Sequence, residues 1–221
     1  MEAEAVLSIL TLAFGLGLLH ALDADHILAV TTLASTRPGP RTALAFCGRW
    51  ALGHGLTLLG IGGAVMLLGL GLPRELSQVA ERLVGVILIG VGAWVLFDLA
   101  RRRLRLGLHR HPGMPAHAHW HPEPGRVDHG HGAVLVGIVH GIAGSAPLLA
   151  VLPVAATGRP GVGLAYLLVF GLGVLAMMLV CGGLLGQVWA RLQGRGRWLT
   201  GLRAVVATGA LAFGTHWLAG A

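Results

Sequence analysis

The segment His20-Ala21-Leu22-Asp23-Ala24-Asp25-His26 places two imidazoles and two carboxylates within seven positions. Imidazole suits nickel, cobalt, copper and zinc, and carboxylate supplies negative charge to a divalent cation. The chemistry these types share is therefore the binding of a transition-metal ion. Their setting sharpens the point, because they lie inside the apolar stretch 6–33. At the centre of a membrane helix each Asp costs about 2.5–3.5 kcal/mol, and so the pair costs on the order of 5–7 kcal/mol. Several Leu and Ile, at roughly half a kcal/mol each, are needed to offset them. On a regular helix of about 100° per residue, His20, Asp23 and His26 share a face, and Asp25 turns toward a neighbouring helix or supports a His. In an unwound segment all four converge and backbone carbonyls can join them. An ion-pair cluster serving packing alone would need fewer groups; two His, two Asp and further His in other spans favour metal.

His54 lies in Leu52-Gly53-His54-Gly55, where flanking glycines let another backbone approach closely. A hydrogen-bonded His at a packing crossing is the plainer reading, and a ligand or pathway role the sharper one. His140 opens Gly141-Ile142-Ala143-Gly144-Ser145-Ala146-Pro147, whose Gly144 and Pro147 predict a bent or broken helix lining a cavity. His216, beside Trp217 near the end of an apolar stretch, reads as interfacial.

The elements that must position these residues are membrane helices. Of the 221 residues, 55% are hydrophobic and 11% charged, with mean hydropathy +0.76, against about 25% charged in soluble domains. Six stretches near the roughly 20 residues a bilayer requires run over 6–33, 43–70, 83–99, 133–156, 162–190 and 198–218. The expected fold is all-α, with six transmembrane helices. The net charge of +7 comes from sixteen basic residues, all Arg. They collect at span ends, as topology demands, and this excludes a nucleic-acid reading. Thirteen Arg flank the first, third and fifth connections and three the other side. The bias predicts a multi-pass protein of the cell membrane, both termini outside and the long third connection cytoplasmic. The acidic start Met1-Glu2-Ala3-Glu4 is unlike the basic region of a cleavable signal.

The halves echo one another. Gly17-Leu18-Leu19-His20-Ala21-Leu22 matches Gly137-Ile138-Val139-His140-Gly141-Ile142, and more weakly Leu52-Gly53-His54-Gly55 resembles Phe170-Gly171-Leu172-Gly173. Three spans per copy make the second enter the membrane from the opposite side, a 3+3 inverted repeat. The chain divides into a first three-helix unit over 1–100, a His-rich loop over 101–132 and a second unit over 133–221. That loop carries His109, His111, His117, His119, His121, His129 and His131 without apolar period, which predicts a solvated, irregular segment. Its spacing fits a loose metal buffer that releases ions as imidazoles protonate around pH 6. A linker tuned only for solubility is the plainer alternative.

Cys47 and Cys181 lie in different spans without a CxxC partner, so a thiol-redox carrier is not expected. No phosphate-binding loop occurs, and no enzyme chemistry or cofactor is expected. His20-Ala21-Leu22-Asp23-Ala24-Asp25-His26-Ile27 resembles the H-x4-D-H signature of the nickel/cobalt transporter family, and Gly53-His54-Gly55 is similar to that family's next-helix motif, with Gly55 for its Ser. His140-Gly141-Ile142-Ala143-Gly144-Ser145-Ala146 resembles the shorter UreH-type branch. The resemblance implies that His20, Asp23, Asp25 and His26 serve transport. The chain departs from larger members in lacking their later Asp/Thr-rich motifs and in having six spans rather than eight. The expected function is secondary transport of Ni2+ or Co2+ through a site of His20, Asp23, Asp25, His26, His54 and His140. The rivals are an exporter of the same metals and a membrane accessory protein delivering metal to a nickel enzyme. The expected partners are the metal ion and the lipid bilayer, with a homo-oligomer left open.

Overall fold

The computed structural model describes residues 2–36, 39–68, 74–104, 108–109, 117–118, 131–143, 159–192 and 196–220. Among them are seven helices: α1 (Glu2–His20), α2 (Ala24–Thr36), α3 (Pro40–Leu68), α4 (Arg74–Leu104), α5 (His131–Ile142), α6 (Pro160–Leu192) and α7 (Gly196–Gly220). Windows within α1, α4 and α6 are long and apolar enough to cross a bilayer, and α5 is a shorter apolar helix. The polarity is inverted relative to a soluble bundle. His54 is fully buried while Leu56, two positions on, is 66% exposed. Large apolar side chains such as Leu7, Phe97, Leu184 and Val205 also face outward, and His20, Asp25, His26 and His140 face inward. Only a surrounding of hydrocarbon makes that arrangement favourable. The chain is a helical membrane protein.

The first apolar stretch is two helices, not one. Leu22 N–H donates to the Leu19 carbonyl at 2.9 Å and Asp23 N–H to the His20 carbonyl at 3.0 Å, so α1 tightens and stops. The Asp23 carbonyl then accepts from Ile27 N–H at 3.1 Å and starts α2. Asp is a preferred residue at such a helix start. The break lies inside the ionisable cluster, which selects the unwound alternative over the regular helix.

The helices meet through glycines. α1 lies against α6, α3 against α5 and α6, and α4 against α7. A Cβ on Gly17 would strike the Phe170 carbonyl and Val174 N, and one on Gly137 would strike the Trp50 carbonyl and His54 N. Conversely, Gly53 abuts Val134 and Ile138, and Gly173 abuts Phe14 and Leu18. Every residue in one crossing has its counterpart 120 positions away in the other: 14 and 134, 17 and 137, 18 and 138, 50 and 170, 53 and 173, 54 and 174. The packing thus pairs Gly53 with Gly173, a correction of two residues to the weaker sequence match with Gly171. Gly85 and Gly214 close the α4–α7 crossing in the same way, each facing the other's carbonyl.

The long connection also departs from expectation at one point. Leu108–His109 and His117–Ala118 form a two-residue antiparallel ladder, with His109 opposite His117. His111, His119, His121 and His129 lie outside the described residues, and His131 is the first residue of α5. α5 ends at Ile142 with a bend at Ala143. The proposed breakers Gly144 and Pro147 lie outside the described residues. His216, on α7, is exposed.

Candidate metal centre

Four imidazoles from four helices converge beside the α1–α2 break. His20 ends α1, His26 sits in the first turns of α2, His54 is mid-α3 and His140 is near the end of α5. The ring centroids of His20 and His26 lie 4.7 Å apart, and those of His20 and His54 5.4 Å apart. His26 is 5.5 Å from both His54 and His140. The Gly53–Gly137 crossing sets this spacing, because it brings the α3 and α5 backbones into contact next to His54 and one turn before His140.

The hydrogen bonds fix what each ring can offer. His26 Nδ1–H donates to Asp25 Oδ1 at 3.0 Å, and His140 Nδ1–H donates to the Val136 carbonyl at 2.9 Å. In both rings Nε2 is left buried with no partner, its lone pair available. Metal-binding His residues are oriented this way, the second nitrogen held by a carboxylate or a carbonyl. Asp25 also lies 4.0 Å from His140 Nε2 through its other oxygen, so one carboxylate faces two imidazoles. His20 Nδ1 approaches Asp23 Oδ2 at 2.8 Å, yet neither nitrogen of His20 has an aligned hydrogen bond. Neither nitrogen of His54 has one either. Each unsatisfied buried polar group costs roughly 1–3 kcal/mol, so four such imidazoles together are a large expense for packing alone.

Two overlapping groups have ligand-capable atoms within 4.8 Å of one another: His20, His26 and His54, all buried, and Asp23, Asp25 and His26. Nitrogen or oxygen ligands at about 2.0–2.2 Å from one ion lie roughly 3–4 Å apart, so either group reaches coordination by a contraction on the order of 1 Å. His26 belongs to both. The Asp23 side chain, 45% exposed, marks the open edge, and the imidazoles form the closed interior.

The structure brings together all six intramembrane residues singled out in the sequence. Asp25 meets both alternatives the sequence left open, bonded to His26 and facing His140 on the neighbouring α5. Two walls of the cluster had no sequence-based expectation. Trp50, fully buried, lies 4.6 Å from His26, 5.2 Å from His140 and 6.0 Å from His54 by ring centroids. Phe170, also fully buried, lies 5.7 Å from His20. The available signals were positional: Trp50 precedes His54 by one turn of α3, and Phe170 follows Trp50 by the same 120 residues as the glycines. Cys47, on α3, and Cys181, on α6, are free thiols outside this cluster.

No solved structure matches the chain. Residues 27–211 match the family described as Cytochrome C biogenesis protein transmembrane region. The chain is also 33% identical over 189 residues to the Urease accessory protein UreH of Bacillus sp. (strain TB-90), across 84% of its own length and 79% of that protein's. The family match takes in most of α2 and α7 and all of α3 to α6, with His54 and His140, while the His20–His26 motif lies just ahead of it. The chain belongs to the cytochrome c biogenesis transmembrane-region family and to the UreH-type branch of the nickel/cobalt transporters.

Proposed function

We propose that the protein is a secondary transporter that moves Ni2+ or Co2+ across the cell membrane through the His/Asp centre, without chemistry on a substrate. One observation carries the reading: His20, His26, His54 and His140 converge among apolar helices with their Nε2 atoms unpartnered. An intramembrane cluster of this kind is stable and useful when a cation occupies it. The ion enters at the half-exposed Asp23 and is held by Asp23, Asp25 and His26. It then passes to His20, His26 and His54 by exchanging ligands around the shared His26. Asp25 keeps the His26 ring oriented and offsets the ion's charge, and His140 is the ligand from the second half.

In this reading the helices form six spans, α1 and α2 together making the first, in a 3+3 inverted repeat with the centre near the midplane. The 120-residue correspondence of the glycine crossings supports it. Both termini lie outside and the His-rich loop lies in the cytoplasm, where its imidazoles buffer the ion.

Uptake of radioactive nickel and cobalt into proteoliposomes tests the proposal. Wild type should accumulate metal, while His20→Ala and Asp25→Ala should insert normally and lose transport. Unchanged flux in either variant would overturn the site. The name of the urease accessory relative favours a second reading, in which the protein hands nickel to an enzyme. That reading predicts stoichiometric metal binding with no vectorial flux in the same vesicles.

A further inference from the structure

A cavity of about 610 Å³ opens between α2, α3, α4 and α5, within the roughly 300–1,000 Å³ range of small-ligand sites. Part of its lining is apolar. Val30, Phe46 and Val136 line it, each four residues along its helix from His26, Trp50 or His140. Its other lining is different in kind. Arg41, Thr42 and Arg49 contribute the polar groups, and Trp94 adds an exposed amphipathic ring of the type found at headgroup level. Arg41 and Arg49 belong to the side of the chain that carries thirteen of the sixteen Arg.

The charges decide the ligand class. Among the described lining residues there is no carboxylate, imidazole or thiol, so a divalent cation meets two guanidiniums and no ligand. A free inorganic anion would find the charge but would leave the apolar lining unused. We infer that this cavity is a binding site for an anionic phospholipid, its headgroup on Arg41 and Arg49 and an acyl chain along Val30, Phe46 and Val136. Basic pockets between transmembrane helices select anionic headgroups in this way, and guanidinium matches phosphate geometry. A bound lipid touches α2 and α5, which carry Asp25, His26 and His140, so occupancy steadies the helices around the centre. The inference does not depend on the transport reading.

The test uses the whole protein, reconstituted in an equal mixture of phosphatidylcholine and phosphatidylglycerol, re-extracted, and analysed for retained lipid by native mass spectrometry. Wild type should retain phosphatidylglycerol in preference. At about five-fold per guanidinium, Arg41→Gln combined with Arg49→Gln should cut that preference on the order of 25-fold, and Arg82→Gln, outside the cavity, should leave it intact. Equal retention of the two lipids by wild type would overturn the proposal, as would full preference in the double variant. Displacement of the lipid by inorganic phosphate would also overturn it, assigning the site to a free anion. If the double variant fails to fold, the wild type alone decides. Strong salt, which shortens electrostatic reach to about 3 Å at 1 M, must weaken the preference, and a salt-independent preference removes the guanidiniums from the explanation.

Discussion

Replacing His54 by Leu should make the metal-free protein more stable and the metal site useless. His54 is fully buried and both ring nitrogens lack partners, so the folded state carries the desolvation cost of that ring. At roughly 1–3 kcal/mol for each unsatisfied group, removing two nitrogens returns about 2–6 kcal/mol. Part is lost again, because Leu has a different shape in a wall shared with His20 and Trp50, and misfit in packed cores costs about 1–3 kcal/mol. The net expectation is a gain of about 1–3 kcal/mol. For a chain of this size that is a rise of roughly 3–10 °C in Tm. Metal reverses the order. Nickel at a hundred times its Kd stabilises wild type by about 2.7 kcal/mol, whereas the variant, short of one imidazole in the His20, His26 and His54 group, should gain little. Thermal unfolding of purified protein, with chelator and then with nickel, reads both effects. A metal-free variant less stable than wild type would show that His54 contributes to packing. A nickel-induced shift as large as that of wild type would show that it is no ligand. Either result refutes the reasoning.

Asp25→Asn keeps the shape of the side chain and removes the charge facing His26 and His140. Loss of such a supporting carboxylate should weaken nickel binding by about 10–100-fold, and isothermal titration showing wild-type affinity would remove Asp25 from the site. Two neighbouring glycines give a stability test: a Cβ at Gly53 meets the Val134 carbonyl, while one at Gly55 meets nothing within 4 Å. Gly53→Ala should therefore lower Tm by several degrees and Gly55→Ala should hold or raise it, since Ala is favoured over Gly in a helix by about 1 kcal/mol. Equal responses would contradict the close α3–α5 approach.

The chemistry of the centre was legible because its cost is local: ionisable groups in an apolar run are conspicuous whatever the fold. The break at Ala21–Asp23 was not decided by the sequence, since no Gly or Pro stands there and the interruption comes from tightened carbonyl bonding around Leu22. Trp50 escaped for the opposite reason: a buried aromatic in a span ordinarily means packing, and only the three imidazoles around it give it another meaning. The likeness of the halves was legible at His20 and His140, but the match at Gly53 slipped by two residues from the packing, because a chain with 36 glycines offers near-equivalent registers. What resolves the register is backbone contact, and that contact also explains where the halves stop resembling each other. Phe14, Gly17 and Leu18 have close counterparts 120 positions on, because two helices crossing at the same distance require the same small surfaces. His54 faces Val174 in that correspondence, Trp50 faces Phe170, and Asp25 and His26 fall on Ser145 and Ala146. A crossing must be satisfied twice, whereas one ion needs only one set of ligands. Similarity therefore persists where backbone meets backbone and is lost at the imidazoles and carboxylates of the cluster.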